Sequence, residues 1–136
     1  IIGDGSLLTP LKDKSPSNIK FTGYLETKKI NEIIGKAKAF IFAGKEDFGI
    51  ALVEAQACGT PVIAYGEAGA LETVVEGETG LFFKEQSSLS LLNALKRFEE
   101  TSFDSIKIRQ QAEKFSVEKF KKEFSAFVEN VIKKHK

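Results

Sequence analysis

Short runs of apolar residues recur along the chain as far as Phe83, and each run is bounded by glycine, proline or polar residues. Runs of this length and setting are typical of strands buried inside a sheet. Segments with helical spacing lie between them, and this alternation predicts right-handed crossovers and a parallel sheet. The pattern predicts strands at Ile19–Phe21, Ala39–Phe42, Pro61–Ala64 and Gly80–Phe83, and helices at Ser6–Lys12, Thr27–Lys38, Ile50–Cys58 and Ala70–Val75.

Beyond Lys84 the apolar residues follow helical spacing alone, which predicts an all-helical tail. Its predicted helices are Leu89–Glu100, which Ser87-Ser88 would start, Ile106–Lys114 and Val117–Lys133. One face of the last helix is apolar and is formed by Phe120, Phe124, Phe127, Val128 and Val131. We expect this face to pack against the sheet or against a further domain. The alternative is a basic helix that lies on a membrane surface.

Composition and charge narrow the class of protein. The chain has 136 residues, 42% of them hydrophobic, which suits one folded domain. Its 20 Lys and Arg against 19 Asp and Glu give a net charge of +1, which argues against a nucleic-acid partner. The single cysteine, Cys58, favours a cytoplasmic location. Because the chain opens on Ile1-Ile2-Gly3 without a methionine, we expect a piece of a larger protein.

The scarcity of histidine and cysteine excludes several kinds of site. The one histidine, His135, lies next to the end of the chain, so a Ser-His-Asp triad, a Cys-His pair or a zinc site is not expected. The sequence also lacks the glycine-rich fingerprints of phosphate-binding and dinucleotide-binding loops, because Leu8 stands where a third glycine would follow Gly3 and Gly5. We therefore expect no metal and no bound cofactor.

The stretch Phe42–Thr60 is the most informative part of the sequence. It begins at the carboxyl end of a predicted strand, where open α/β sheets bind their ligands, and it leads into a predicted helix. The first amides of that helix have no partner within the helix and attract an anion. A diphosphate would lie over Phe48, Gly49 and Ile50, because Gly49 allows the close approach that a side chain would block.

Two carboxylates, Glu46 and Glu54, flank this predicted anion site. Carboxylates repel phosphate, but they accept hydrogen bonds from vicinal hydroxyl groups. The order Glu46, helix start, Glu54 therefore predicts contacts to a sugar, a phosphate and a second sugar. Either glutamate alone would fit the simpler interpretation of an acidic residue that complements the helix dipole.

With seven residues between them, Glu46 and Glu54 resemble the E-x7-E signature of the large family of retaining glycosyltransferases with the GT-B fold. The resemblance covers nearly the whole chain and is closest to mannosyltransferases that build O-antigen and capsule polysaccharides. Four further segments follow the order of that family's donor-binding half: Ile2–Gly5, Ile19–Gly23, Gly66–Glu72 and Glu76–Leu81.

The resemblance implies a role for each residue of the predicted site. Glu46, as the catalytic residue, would hold hydroxyls of the donor sugar, and Glu54 would hold the ribose. The backbone at Phe48, Gly49 and Ile50 would contact the sugar-phosphate end. Gly69 would border the donor. Lys45 is a candidate phosphate contact, and a solvated lysine is the alternative.

The resemblance also implies what the chain does and lacks. Residues 1–136 would form the donor-binding domain, a Rossmann-like parallel sheet without its first strand-helix unit and without the N-terminal acceptor domain. The donor would be GDP-mannose, with a UDP-sugar as the alternative, and the acceptor a glycan or a lipid-linked sugar at the cytoplasmic membrane face. The family's diphosphate-binding Arg and Lys would precede Ile1, so we expect the chain alone to be inactive.

Two other functions are compatible with parts of the sequence. The chain could be a non-catalytic sugar-nucleotide binding module or a subunit of a split transferase, which residues upstream of Ile1 would distinguish. A receiver-like signalling domain would need an acidic pocket with an opposed lysine. Asp4 follows a predicted strand, but the rest of that pocket is missing.

Overall fold

Three short parallel strands form a sheet at the centre of the computed structural model, which describes residues 1–135. The middle strand, β2, pairs with β1 in a register that sets Ala64 opposite Phe42, and with β3 in a register that sets Tyr65 opposite Phe83. The strands are β1 (Phe40–Phe42), β2 (Val62–Tyr65) and β3 (Gly80–Phe83). The three strands therefore end at one edge of the sheet.

Helices cover both faces of this sheet. The described residues form the helices α1 (Leu8–Lys14), α2 (Thr27–Ile34), α3 (Ile50–Ala57), α4 (Gly69–Thr73), α5 (Ser88–Glu99), α6 (Ser105–Glu113) and α7 (Val117–Lys134). Val62 and Ala64 pack on one face in a core cluster with Leu52 of α3, whereas Ile63 packs on the other face with Ala94 of α5. Val62, Ile63 and Ala64 are fully buried, as expected for a strand inside a parallel sheet.

The predicted α/β class with a helical tail is confirmed, and every predicted helix is present within a few residues of its predicted bounds. Three helices of the tail begin at a side-chain cap that the sequence provides. The side-chain oxygens of Ser87, Asp104 and Ser116 accept hydrogen bonds from backbone amides in the first turns of α5, α6 and α7.

The strand predicted at Ile19–Phe21 does not join the sheet. Residues next to it are bonded to the start of the chain instead: the Thr22 amide donates to the Ile1 carbonyl at 3.0 Å and the Gly3 amide to the Gly23 carbonyl at 2.9 Å. Within residues 1–135, no third strand pairs with these two segments. A lone pair of strands is marginal in water, so the segment remains irregular.

Helix α7 does not pack against the sheet, which was one of the two arrangements expected for its apolar face; packing against a further domain stays a prediction. None of its described residues is buried, and Phe120 and Phe127 are each 64% exposed. The faces of the sheet are occupied by the core clusters around α3 and α5, so α7 has no place on them. Among residues 1–135, no helix is both long and apolar enough to cross a membrane.

Candidate functional site

Two loops meet at the carboxyl ends of β1 and β2. The first, which we call the Glu46 loop, is residues 43–49 and leads into α3; the second, the Gly69 loop, is residues 66–69 and leads into α4. They lie side by side because β1 and β2 are adjacent parallel strands. This is the edge at which open α/β sheets bind ligands.

The start of α3 presents free backbone donors. Gly49 precedes the helix in a left-handed conformation, with φ 83° and ψ 55°, and its carbonyl accepts the Leu52 amide at 2.9 Å. The amides of Phe48 to Ala51 donate to no acceptor among the described residues. A Cβ at residue 49 would lie 2.8 Å from the Leu52 side chain, so glycine fits this helix start on two grounds.

A small cavity of about 260 Å³ opens at this helix start. Its lining brings together four of the residues that the sequence predicted for one site, namely Glu46, Phe48, Gly49 and Ile50. The rest of the lining is Phe42, Asp47 and Ala51. The cavity therefore combines an exposed carboxylate with unpartnered amides.

The other predicted carboxylate, Glu54, lines a neighbouring groove of about 500 Å³ between α3 and α6. Phe48 and Ile50 line both depressions and separate them. Phe115, which the sequence analysis did not single out, closes one side of the groove and meets Phe48 edge-to-face with ring centroids 5.6 Å apart. The two carboxylates thus flank the start of α3 on either side, but in separate depressions.

Gly69 is buried beneath the Glu46 loop and joins the two loops. Its amide donates to the carbonyl of Glu46 at 2.9 Å, and its Cα lies so close to the backbone of Phe48 that no side chain would fit. Gly69 therefore allows the two loops of the site to pack closely together. Its contact with a donor stays a prediction.

Lys45 is engaged by a partner that the sequence analysis missed. Its Nζ lies 2.7 Å from Oε2 of Glu67, and the Tyr65 hydroxyl donates to Oε1 of the same carboxylate at 2.9 Å. These bonds lower the pKa of Glu67 and raise the pKa values of Lys45 and Tyr65. Tyr65-Gly66-Glu67 directly follows the predicted strand at Pro61–Ala64, but its spacing from Lys45 along the chain does not indicate the pairing.

Lys45 does not line the cavity at the start of α3, and its ammonium group is not free for a phosphate in this structure. Among residues 1–135, no three His, Cys, Asp or Glu side chains form a group that could hold a metal ion.

Comparison with known proteins identifies the family. The profile of the glycosyl transferases group 1 matches residues 1–116. The chain belongs to this family.

This chain is 33% identical, over 101 residues, to a phosphatidyl-myo-inositol mannosyltransferase of Propionibacterium freudenreichii. The match covers 71% of this chain and 25% of the relative. The chain is also 38% identical, over 92 residues, to a GDP-mannose-dependent monoacylated alpha-(1-6)-phosphatidylinositol monomannoside mannosyltransferase of Corynebacterium glutamicum, with 60% and 24% covered.

A solved structure supports the fold. The lipopolysaccharide outer core galactosyltransferase WaaB in its apo form superposes with a TM-score of 0.80 at 19% identity, covering 95% of this chain and 39% of that one. The parallel sheet with helices on both faces therefore matches GT-B glycosyltransferase structures. The chain spans about a quarter of the length of the curated relatives it matches.

Proposed function

We propose that the chain is the donor-binding part of a retaining glycosyltransferase. The enzyme would transfer a hexose from a nucleotide diphosphate sugar to a glycan or a lipid-linked acceptor, and mannose is the hexose we propose. Polysaccharide or glycolipid synthesis is the setting in which such a transfer occurs.

The observation that carries this proposal is the arrangement at the start of α3. Glu46 shares a cavity with the unpartnered amides of Phe48 to Ala51, and Glu54 lies one turn into the helix on the other side of Phe48 and Ile50. Free amides at a helix start bind phosphate oxygens, and carboxylates accept hydrogen bonds from hydroxyl groups. A nucleotide sugar has both kinds of group in this order.

The same arrangement would assist the reaction. When the bond between the sugar and the diphosphate breaks, negative charge develops on the leaving phosphate. The amides and the positive end of the α3 dipole would stabilise that charge because they are oriented before the reaction begins. Glu46 would hold the sugar hydroxyls and so keep the anomeric carbon in the reacting position.

GDP-mannose is the donor we propose. The support is the names of the two relatives, both mannosyltransferases and one described as GDP-mannose-dependent, at 33% and 38% identity. A UDP-sugar is the alternative donor, and a binding experiment distinguishes it from GDP-mannose.

We further propose that residues 1–136 lack the first strand-helix unit and the acceptor domain of such an enzyme. The exposed apolar face of α7, with Phe120 and Phe127 each 64% exposed, would then pack against that further domain. Lysines beside this face, such as Lys121, leave peripheral contact with an anionic membrane as the alternative.

The test uses saturation-transfer NMR, which detects weak binding. The chain is mixed in turn with GDP-mannose, UDP-glucose and UDP-N-acetylglucosamine. We expect GDP-mannose to give signals on sugar and ribose protons, with sugar signals lost in Glu46→Gln and ribose signals lost in Glu54→Gln. Glu129→Gln on α7 is the control for loss of one negative charge outside the site. Absence of signal from all three donors would contradict the proposal.

A second arm separates binding from catalysis. We expect the chain alone to release no nucleoside diphosphate and to transfer no sugar, because the diphosphate-binding Arg and Lys that the family resemblance implies would precede Ile1. Turnover is measured as nucleotide release with GDP-mannose over hours. Measurable turnover would contradict the expected dependence on further residues.

A further inference from the structure

An ion pair between Lys45 and Glu67 joins the Glu46 loop to the Gly69 loop. Lys45 directly precedes Glu46 in the sequence, and Glu67 lies two residues before Gly69. The Lys45 Nζ to Glu67 Oε2 distance is 2.7 Å. The pair therefore links the loop that carries Glu46 to the loop that carries Gly69.

Glu67 is fixed from two sides, and this makes the pair more than a mobile surface contact. The Tyr65 hydroxyl donates to one carboxylate oxygen at 2.9 Å and the Lys45 ammonium to the other. Tyr65 is itself anchored as the last residue of β2, and its ring lies 5.8 Å from that of the buried Phe83. The carboxylate therefore has a set orientation, in contrast to exposed pairs of two flexible side chains.

The backbone beside Glu67 requires such restraint. Ala68 has φ 50° and ψ −131°, a region that residues other than glycine rarely occupy. A conformation of this kind persists only where neighbouring contacts impose it. On one side of Ala68 those contacts are the bonds of Glu67, and on the other side the Gly69 amide donates to the Glu46 carbonyl at 2.9 Å.

We propose that Glu67 is a positioning residue, which holds Lys45 and thereby sets the position of Glu46 against the Gly69 loop. The inference rests on the proposed function in that Glu46 is the group that would hold the donor sugar. It assigns Lys45 a different task from phosphate binding. We call the group of Lys45, Tyr65 and Glu67 the Glu67 network.

The first arm of the test needs no donor. Hydrogen exchange of the Gly69 amide is followed by NMR in the unmodified chain, in Glu67→Gln and in Lys45→Met. We expect about a three- to tenfold faster exchange at Gly69 in both variants and no change at Ile63 in the core. In the charge swap, Lys45→Glu with Glu67→Lys, we expect exchange to return to within about twofold of the original, because opposite charges again face each other.

Glu32→Gln is the matched control. It removes the Lys29–Glu32 pair on α2, whose distance of 3.0 Å and exposures of 59% and 45% resemble the 61% and 44% of Lys45 and Glu67. We expect no change at Gly69 in this control. Unchanged exchange at Gly69 in the two site variants, or equal increases at Gly69 and Ile63, would overturn the proposal.

The second arm measures donor contacts and separates a positioning role from a merely structural one. In saturation-transfer spectra with GDP-mannose, we expect Glu67→Gln and Lys45→Met to lower the sugar signal about threefold relative to the ribose signal, because Glu54 sits on the rigid helix α3. The charge swap should restore the ratio. Restored exchange at Gly69 without a restored ratio would show that Lys45 contacts the donor directly, and would overturn the positioning role.

The two arms fail separately. If the unmodified chain gives no donor signal while Gly69 exchange responds as expected, the proposed function fails and the loop restraint stands. If the donor binds but neither Gly69 exchange nor the signal ratio responds, the proposed function stands and the role of Glu67 fails.

Discussion

Gly69 and Phe48 approach each other so closely that a Cβ on residue 69 would overlap the backbone of Phe48. This contact joins the two loops of the candidate site at the point where the Gly69 amide donates to the Glu46 carbonyl. The position of the loop that presents Glu46 therefore depends on the absence of one side chain.

We predict that Gly69→Ala destabilises the chain by about 1–3 kcal/mol and weakens donor binding, because the Glu46 loop must move to admit the methyl group. Urea unfolding measures the first effect and saturation-transfer NMR the second. Gly5→Ala is the control, since a Cβ there meets no atom within 4 Å and the backbone is not left-handed. Equal stability of the two variants would show that the contact with Phe48 yields easily.

The strained backbone of Ala68 gives a prediction of opposite sign. Ala68→Gly should raise the free energy of unfolding by about 1 kcal/mol, because relief of the strain outweighs the greater flexibility of glycine in the unfolded chain. Ala70→Gly, in α4 and with ordinary helical geometry, should instead lower it by about 1 kcal/mol. Thermal and urea unfolding of both variants check this contrast, and a loss of stability in Ala68→Gly would contradict it.

Much of the fold and part of the site follow from local sequence signals. Gly49, the apolar run of β2 and the cap Ser87 each determine a nearby backbone feature, and the structure has them where they were predicted. Glu46, Phe48, Gly49 and Ile50 share a cavity because they lie within five consecutive residues, at the end of the Glu46 loop and the start of α3.

What sequence reasoning missed depends on contacts between distant segments. The pairing of Lys45 with Glu67 requires β1 and β2 to be neighbours, and spacing along the chain does not reveal that neighbourhood. The exposed state of α7 is of the same kind. Its apolar face predicted packing against the sheet or a further domain, but no local signal shows that the sheet is already covered by other helices.

The Glu67 network predicts a specific pH dependence. The bonds from Lys45 and Tyr65 lower the pKa of Glu67 below its ordinary value of 4.5. A carboxyl group with a lowered folded-state pKa contributes stability that is fully present above the unfolded value and is lost as the pH falls through the folded value. We therefore expect the unfolding midpoint of the unmodified chain to exceed that of Glu67→Gln at pH 7.

That difference should be constant down to about pH 5 and should close below pH 4.5 as Glu67 takes up a proton. Urea unfolding midpoints of the two proteins at matched pH values give the measurement. Tyr65→Phe should show a smaller difference with the same pH profile, since it removes one of the two bonds to the carboxylate. A difference that persists unchanged at pH 3 would mean that the ionised form of Glu67 is not what stabilises the loop.

The apolar face of α7 should contribute almost nothing to the stability of this chain. Phe120 and Phe127 are each 64% exposed, so the double variant Phe120→Glu with Phe127→Glu loses little buried surface. We expect its free energy of unfolding to change by less than about 0.5 kcal/mol, whereas Leu52→Ala in the core should lose about 2–5 kcal/mol. Binding of an apolar fluorescent dye should fall in the double variant, because the exposed patch becomes charged.

A loss of more than about 2 kcal/mol in the double variant would mean that this face is packed in solution, either on the sheet or on a second copy of the chain. Sedimentation at several protein concentrations distinguishes those two arrangements, since only the second depends on concentration.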